Sequence, residues 1–306
     1  MNIVKSKRIS FLKRNIREVK FLLSIMLLMY CGSLQAQDKL ILLMEEQTGF
    51  SSQTWFYCGL GNELDLKLIE KHWNEGRRIT SAAYTSNGWF VTMAKNSGLT
   101  WQACHYDSNW PTDWLAEHRK NNRYITSIGM SANKWFIVVS EGTGYTDQIN
   151  NCGDWDQMSQ WIKKYWNEDF RITHAARHTS GWDIVMSKNS GIDQQTYCFA
   201  TESELKSKLE EQWANGYCLQ LIEFANGQYF IIGCTYKNGK APMQSYNISP
   251  DDPGTCISEG WDNQRNIVYI GGGFNFSTPN TGSNQQLATN NNLRNNEKYT
   301  EYNLPY

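Results

Sequence analysis

Ile79-Thr80-Ser81-Ala82-Ala83-Tyr84, Trp89-Phe90-Val91-Thr92-Met93 and Lys95-Asn96-Ser97-Gly98 form one phrase, and the chain repeats it. The second copy reads Ile125-Thr126-Ser127-Ile128, Trp135-Phe136-Ile137-Val138-Val139 and Glu141-Gly142-Thr143-Gly144. The third reads Ile172-Thr173-His174-Ala175-Ala176, Trp182-Asp183-Ile184-Val185-Met186 and Lys188-Asn189-Ser190-Gly191. A worn fourth starts at Leu219, with Tyr229-Phe230-Ile231-Ile232 in the second slot. The starts at 79, 125, 172 and 219 are separated by 46, 47 and 47 residues. A period in this range marks a solenoid, a propeller or a ring of like units.

Each copy carries the same local signals. A short apolar run is followed by a turn such as Thr85-Ser86-Asn87-Gly88 or Ala225-Asn226-Gly227, and then by the Trp-led run. Turn residues between two apolar runs predict a hairpin. Gly98, Gly144 and Gly191 then turn the chain into a third, more polar strand, near 100–106, 146–150 and 193–199. A helix closes the cycle. Counting back from the next first strand, position −10 is Ile69, Leu115, Ile162, Leu209 and Ile257; position −6 is Trp73, Arg119, Trp166, Trp213 and Trp261. Four residues apart lie on one helix face, so an aliphatic residue and usually a Trp are expected to bury themselves on the sheet. The unit is strand, strand, strand, helix.

The ends each hold part of a unit. Leu40-Ile41-Leu42-Leu43-Met44, followed by Gln47-Thr48-Gly49, matches a second strand and its turn with no first strand before it. Ile267-Val268-Tyr269-Ile270 matches a first strand with no second strand after it. Complementary halves predict pairing of the two, which would leave no raw sheet edge. The expected fold is therefore an α+β repeat, a five-fold propeller-like ring. Its units lie near 77–122, 123–169, 170–216 and 217–264, with a shared fifth unit from 265–276 and 38–76. An open curved array is the alternative.

Residues 1–36 have the three-part plan of a secretory signal: seven Lys/Arg up to Lys20, an apolar stretch from Phe21 to Leu34, and Ser33-Leu34-Gln35-Ala36 before a cut. The mature chain is expected to start at Gln37 and to be periplasmic, cell-surface or secreted. A lipoprotein cut at Cys31 is disfavoured by the bulky Tyr30, and an uncleaved anchor is the third reading. Losing seven basic residues and one acidic residue takes the formal charge from −1 to −7. That balance argues against binding a phosphate backbone, so nucleic acid is not an expected partner. No span is expected in the mature chain. Residues 277–306, rich in Asn, Thr, Ser and Gln, are expected to be a disordered tail, which leaves 37–276 as one folded body.

Trp182-Asp183-Ile184-Val185-Met186-Ser187-Lys188-Asn189-Ser190-Gly191, Gly144-Tyr145-Thr146-Asp147-Gln148 and Trp166-Asn167-Glu168-Asp169-Phe170-Arg171-Ile172-Thr173 resemble repeats in the C-terminal extension of plant casein-kinase-I-like kinases and in exported bacterial proteins. The resemblance covers about 38–276 and implies a shared module of no assigned chemistry. The chain has no glycine-rich nucleotide loop and no His-Arg-Asp loop, so phosphoryl transfer is not implied.

Chemistry is sought where the repeat breaks. The third unit has His174 where its siblings have Ser81 or Ser127, and Arg177 where they have Tyr84, Met130 or Phe224. His178 and Cys198 lie in the same unit. If the protein is an enzyme, His174, His178 and Cys198 are its catalytic candidates, as a hydrolase. The set is similar in architecture to penteins, five-fold ring enzymes that attack guanidines with Cys and His, but their motifs are absent. His174 and Arg177 have opposite strand parity and are expected on opposite faces. Of the thirteen Trp, those in register are expected to be core; Trp55, Trp101, Trp110 and Trp155, with Arg177, are the candidate ligand contacts. The seven mature Cys are expected to be mainly small buried residues, although Cys218 and Cys234 straddle one hairpin. There is no Cys-x-x-Cys and no His pair at zinc spacing, so no metal or cofactor is expected. The expectation is an exported noncatalytic repeat domain binding a glycan, peptide or protein partner, with a hydrolase or a purely structural envelope component as alternatives.

Overall fold

The computed structural model describes residues 39–58, 63–85, 87–131, 133–178, 181–225, 227–249, 252–273 and 302–303. The segment expected to be a secretory signal, residues 1–36, and most of the Asn-rich tail lie outside the described residues. In chain order the elements are β1 (Lys39–Glu46), β2 (Ser51–Cys58), α1 (Leu66–Asn74), β3 (Arg78–Thr85), β4 (Gly88–Lys95), β5 (Gln102–Asp107), α2 (Thr112–Lys120), β6 (Tyr124–Met130) and β7 (Trp135–Ser140). They continue with β8 (Asp147–Gly153), α3 (Trp155–Trp166), β9 (Arg171–His178), β10 (Gly181–Lys188), β11 (Ile192–Thr201), α4 (Leu205–Ala214), β12 (Cys218–Ala225), β13 (Gln228–Tyr236), β14 (Gln244–Ile248), α5 (Pro253–Asp262) and β15 (Arg265–Gly273).

These elements make five small antiparallel sheets with five helices among the described residues: β2-β4-β3, β5-β7-β6, β8-β10-β9, β11-β13-β12 and β14-β1-β15. The pair Tyr302–Asn303 adds to the edge at β5. The hairpins β3–β4, β6–β7, β9–β10 and β12–β13 form as the turn residues predict. The expected terminal pairing also forms: β1 lies antiparallel to β15, with Leu42 opposite Ile270 and Met44 opposite Ile267.

The third strand is a correction. It does not complete the sheet of the two strands before it; it pairs with the second strand of the next sheet, as β5 does with β7. The fifth sheet accordingly takes β14, not β2, beside β1. The turns explain this. Asn96 and Gly98, Gly142 and Gly144, and Asn189 and Gly191 are all left-handed, φ between 55° and 86°, and carry the chain away to the neighbouring sheet. Within a sheet, β2 and β3 then both run antiparallel to β4 and therefore parallel to each other. A parallel pair needs a crossover, and α1 supplies it. Asp65, Asp154 and Asp252 cap α1, α3 and α5 by accepting a backbone N–H.

Each helix buries its position −10 residue completely or nearly so: Ile69, Leu115, Ile162, Leu209 and Ile257. Position −6 departs from expectation. Trp73 is buried, Trp166 is half-buried, and Trp213 and Trp261 are each 37% exposed. The in-register strand residues Trp89, Trp135 and Trp182 are core.

First strands are sheet edges, and their outward polar groups need partners. A glutamine from the next sheet provides them. Gln102 of β5 accepts from Ile79 N (2.7 Å) and donates to Ile79 O (2.8 Å), so its side-chain amide stands in for a peptide of a missing strand. Gln148 does this to Ile125, Gln195 to Ile172, and Gln244 to Leu219. Gln53 of β2 does the same to Ile267 of β15, at 2.9 Å for both bonds. The residue after each clamped position, Thr80, Thr126, Thr173, Gln220 or Val268, is the extra residue of a β-bulge. A bulge re-aims its side chain; the three threonines thereby reach second-strand hydroxyls of Thr92, Ser140 and Ser187. First strands also touch one another: β3 with β6, β6 with β9, β9 with β12, β12 with β15, and β15 with β3.

Candidate functional site

The symmetry-breaking residues of the third unit fall into separate surroundings. His174 on β9 lines a cavity of about 220 Å³ together with Thr80, Thr126, Leu99 and Tyr145. Its Nε2 is covered and has no hydrogen-bond partner. Burial lowers its pKa to about 4, so the imidazole is neutral. Arg177 lines a different cavity of about 20 Å³, room for little more than a water, beside Glu223 and Gly272. Its guanidinium lies 5.5 Å from the Trp182 ring centroid. Asp183, opposite Cys152 in the ladder, is buried and carries a pKa raised to about 7, mainly by desolvation.

Cys198 is on another sheet, on β11, where Gln212 Nε2 of α4 approaches its Sγ at 3.8 Å. Burial raises its pKa, which keeps it a thiol and not the nucleophilic thiolate. His178 ends β9, and its side chain lies outside the described residues. The fold thus distributes His174, Arg177 and Cys198 over three environments. None of the seven described cysteines is in a disulfide: Cys58, Cys104, Cys218 and Cys234 are buried, Cys198 and Cys256 are half-buried, and Cys152 is exposed. Cys218 and Cys234 sit directly opposite in their hairpin as free thiols. Among the described residues no group of three or more His, Cys, Asp or Glu could hold a metal ion, and no helix is long and apolar enough to cross a membrane.

The four tryptophans singled out as ligand contacts are half-buried and packed. Trp55 stacks on Phe90 at 5.3 Å, and Trp101 carries the Arg123 guanidinium at 3.7 Å. Trp110 stands edge-on to Trp135 at 5.1 Å, and Trp155 stands edge-on to Phe199 at 4.6 Å. The exposed indoles are Trp213 and Trp261. Both are tethered by the clamp glutamines: Trp261 Nε1 donates to Gln53 Oε1 (3.1 Å) and Trp213 Nε1 to Gln244 Oε1 (3.2 Å). The tether satisfies the indole N–H and leaves ring surface open.

Trp261 borders a cleft of about 460 Å³ between the end of α5, the β1–β2 turn and the start of β15. The residue before the clamped position varies between junctions: Arg78 donates to Thr100 O and Arg171 to Asp193 O, while Tyr124 and Cys218 stand at two others. Here the residue is the short Asn266, which reaches only Thr48 Oγ1 at 3.0 Å. The walls are amides and hydroxyls, from Gln47, Thr48, Ser52, Gln264 and Asn266, with Arg265 beside Glu46 at 3.4 Å. The Arg265 Nε is a buried donor with no acceptor. Gln47 and Gln264 hold left-handed backbone (φ 56° and 60°) where other units use Asn96, Gly142 and Asn189, or Gly76, Asn122, Asp169 and Gly216. Left-handed glutamine is less favourable than asparagine or glycine, so this unit accepts strain and gains two long amides at the mouth of the cleft.

No curated protein and no solved structure matches the chain. One family matches residues 111–274, from the start of α2 through β15, and the residues before this stretch carry the same repeat. The chain belongs to the family described as a domain of unknown function, DUF7477.

Proposed function

We propose that this is an exported, noncatalytic binding module whose five sheets close into a ring and whose Trp261 cleft takes a neutral, polyhydroxylated ligand, a glycan. The observation that carries the reading is the cleft itself: a half-exposed, tethered indole beside amide and hydroxyl side chains. A flat apolar face with a few placed polar groups suits a sugar ring. The pairing of Arg265 with Glu46 leaves no strong net charge to select an ionic ligand. Closure is supported by the fifth glutamine clamp, Gln53 on Ile267, and by the contact of β15 with β3. Export rests on the signal pattern of residues 1–36. The kinship with kinase-extension repeats rests on the quoted motifs alone. A hydrolase is disfavoured by the separation of His174 from Cys198 and by the protonated thiol.

Affinity electrophoresis of the chain from Gln37 against soluble neutral polysaccharides tests the reading. Retardation by at least one polysaccharide is expected. Trp261→Ala should weaken it at least tenfold, ~1.4 kcal/mol or more, measured at a temperature where circular dichroism shows the variant still folded, since loss of the Gln53 bond also lowers its melting temperature. Wild-type retardation of Trp261→Ala, or no retardation of the parent chain by any polysaccharide, refutes a glycan cleft at Trp261.

A further inference from the structure

One cross-strand position departs from the repeat on both of its sides at once. The residue before each clamped one lies directly opposite a second-strand residue, and the pairs read Arg78 with Ala94, Tyr124 with Ser140, Arg171 with Ser187 and Asn266 with Glu45. In the β12–β13 hairpin the same pair is Cys218 with Cys234. At three junctions the second-strand member serves the clamp: Gln102 Nε2 donates to Ser140 Oγ at 3.0 Å, Gln148 Nε2 to Ser187 Oγ at 3.0 Å, and Gln244 Nε2 to Glu45 Oε2 at 3.2 Å. Gln195 lies opposite Cys234 in the same way, yet its Nε2 donates to Gln220 Oε1 at 2.5 Å. A serine at 234 would complete the clamp as it does at 140 and 187. The chain instead has a cysteine there and a second cysteine facing it.

Directly opposite residues of an antiparallel pair project from one face, with Cα atoms about 4.5–5.5 Å apart. A disulfide spans Cα atoms roughly 4.4–6.8 Å apart, so the ladder itself sets the two cysteines at bridging distance. We propose that Cys218 and Cys234 form a disulfide that staples the β12–β13 hairpin, made when the chain enters an oxidising compartment; the place of oxidation rests on the export reading above. The bond closes the open end of the hairpin, away from the turn at Ala225 and Gln228, where the irregularity between Leu219 and Leu221 interrupts the ladder. It forms before the fold closes. In the finished fold Cys234 is fully buried and Cys218 is 7% exposed. Burial holds both as thiols, Cys234 with a pKa raised to about 12, and the thiol is not the attacking species. The hairpin is local, 16 positions from one cysteine to the other, while β14 and β15 follow later in the chain, so the sulfurs meet the oxidant before they are covered. That oxidant is a disulfide, carried by a thiol oxidoreductase in the cell or by glutathione in the tube. The first cysteine thiolate attacks it and expels one thiolate; the second attacks the mixed disulfide and expels the other. One S–S bond forms and one breaks, two electrons pass to the oxidant, and the two cysteine protons end on the two leaving thiols.

Refolding the full chain in reduced and oxidised glutathione, blocking the remaining thiols with iodoacetamide and digesting with trypsin tests the proposal. Cleavage after Lys208 and Lys237 releases one peptide, 209–237, that holds Cys218 and Cys234 and no other cysteine. Its expected mass is that of the unalkylated peptide less two hydrogens, and prior reduction should convert it to the doubly alkylated form. The bridged chain should melt roughly 6–12 °C above the reduced chain, as for a closed loop of this length. The double variant Cys218→Ser with Cys234→Ser should melt at one temperature with and without reductant. A peptide 209–237 that carries two alkyl groups after refolding, or either cysteine linked to a third, overturns the proposal without recourse to any variant. A bridged chain that melts no higher than the reduced one overturns the staple. The oxidant is supplied in the tube, so these failures refute the bridge and leave export as it stood; protease accessibility of the chain on intact cells decides export separately.

Discussion

Replacing Gln53 by Ala asks whether the junction between β2 and β15 holds the molecule together as the other four do. Gln53 makes three hydrogen bonds there: from Ile267 N at 2.9 Å, to Ile267 O at 2.9 Å, and from Trp261 Nε1 at 3.1 Å. At ~1 kcal/mol net for each, the loss is about 3 kcal/mol. For a chain of this size each kcal/mol lowers the melting temperature by roughly 2–4 °C, so a drop of about 6–12 °C is expected. Gln195→Ala provides the internal reference. Gln195 makes the same three bonds, with Ile172 N, Ile172 O and Trp166 Nε1, and a fourth to Gln220 Oε1, between sheets that are neighbours in the chain, so its loss should be at least as large. In a closed ring the two junctions are equivalent, so both variants should lose comparable stability and both should melt in one cooperative transition by calorimetry. In an open array the Gln53 junction is expendable. A Gln53→Ala melting curve that coincides with the parent's, beside a large loss in Gln195→Ala, would refute closure. Denaturant titration of the same pair adds a check, because a variant that only frays its ends lowers the m-value along with the midpoint.

Gly271→Ala should be among the most damaging single changes in the chain, because an added Cβ would lie 1.9 Å from Ile222 O, a backbone atom that cannot swing aside; Gly49→Ala, with open space but φ of 78°, should cost only ~1 kcal/mol, and equal melting temperatures for the two would show that β15 is not wedged against β12. Glu223 gives a pH signature. Its carboxyl is buried, receives the Tyr269 hydroxyl, and has a pKa raised to about 8, chiefly by desolvation. The raised folded value means that the neutral form is favoured in the fold, so its stability is fully present below pH 4.5 and is lost as pH rises through about 8. Glu223→Gln should flatten the decline measured by chemical denaturation between these limits, and an unchanged slope would mean that Glu223 does not titrate in that window.

The parts of the fold that could be anticipated are those set by neighbours in the chain. Turn residues between apolar runs announced the hairpins, helix periodicity announced Ile69 and its equivalents, and the two half-units announced the pairing of β1 with β15. The partner of each third strand could not be inferred this way. A polar strand after Gly98 satisfies its backbone equally well in a meander or in the next sheet, and the choice lies in the left-handed angles at Asn96 and Gly98, which composition alone does not report. The clamp glutamines were visible as Gln53, Gln102, Gln148, Gln195 and Gln244, yet a polar residue on a polar strand gives no apolar period to follow. The candidate site divides in the same way. His174 stood out because it breaks a repeated serine, and it does line a cavity. Trp261 has the register of a core residue because it matches Trp73, yet it is exposed although Gln53 tethers it just as Gln102 tethers the buried Trp73.

The sheet built from both ends has a consequence for how the protein is made. β1 is its central strand, flanked by β14 and β15, and most of its residues are buried. During synthesis Leu40-Ile41-Leu42-Leu43-Met44 leaves the ribosome roughly 200 residues ahead of either partner, a wait of about 10–40 s at ordinary elongation rates. For that interval an apolar strand has two open edges, the form of chain most prone to pair with a copy of itself. Nothing between β2 and β13 can shelter it permanently, because each of those strands already has its place in another sheet. Successful biogenesis therefore requires that β1 be kept apart until the last sheet can assemble, by a holding chaperone or by delivery of the chain unfolded.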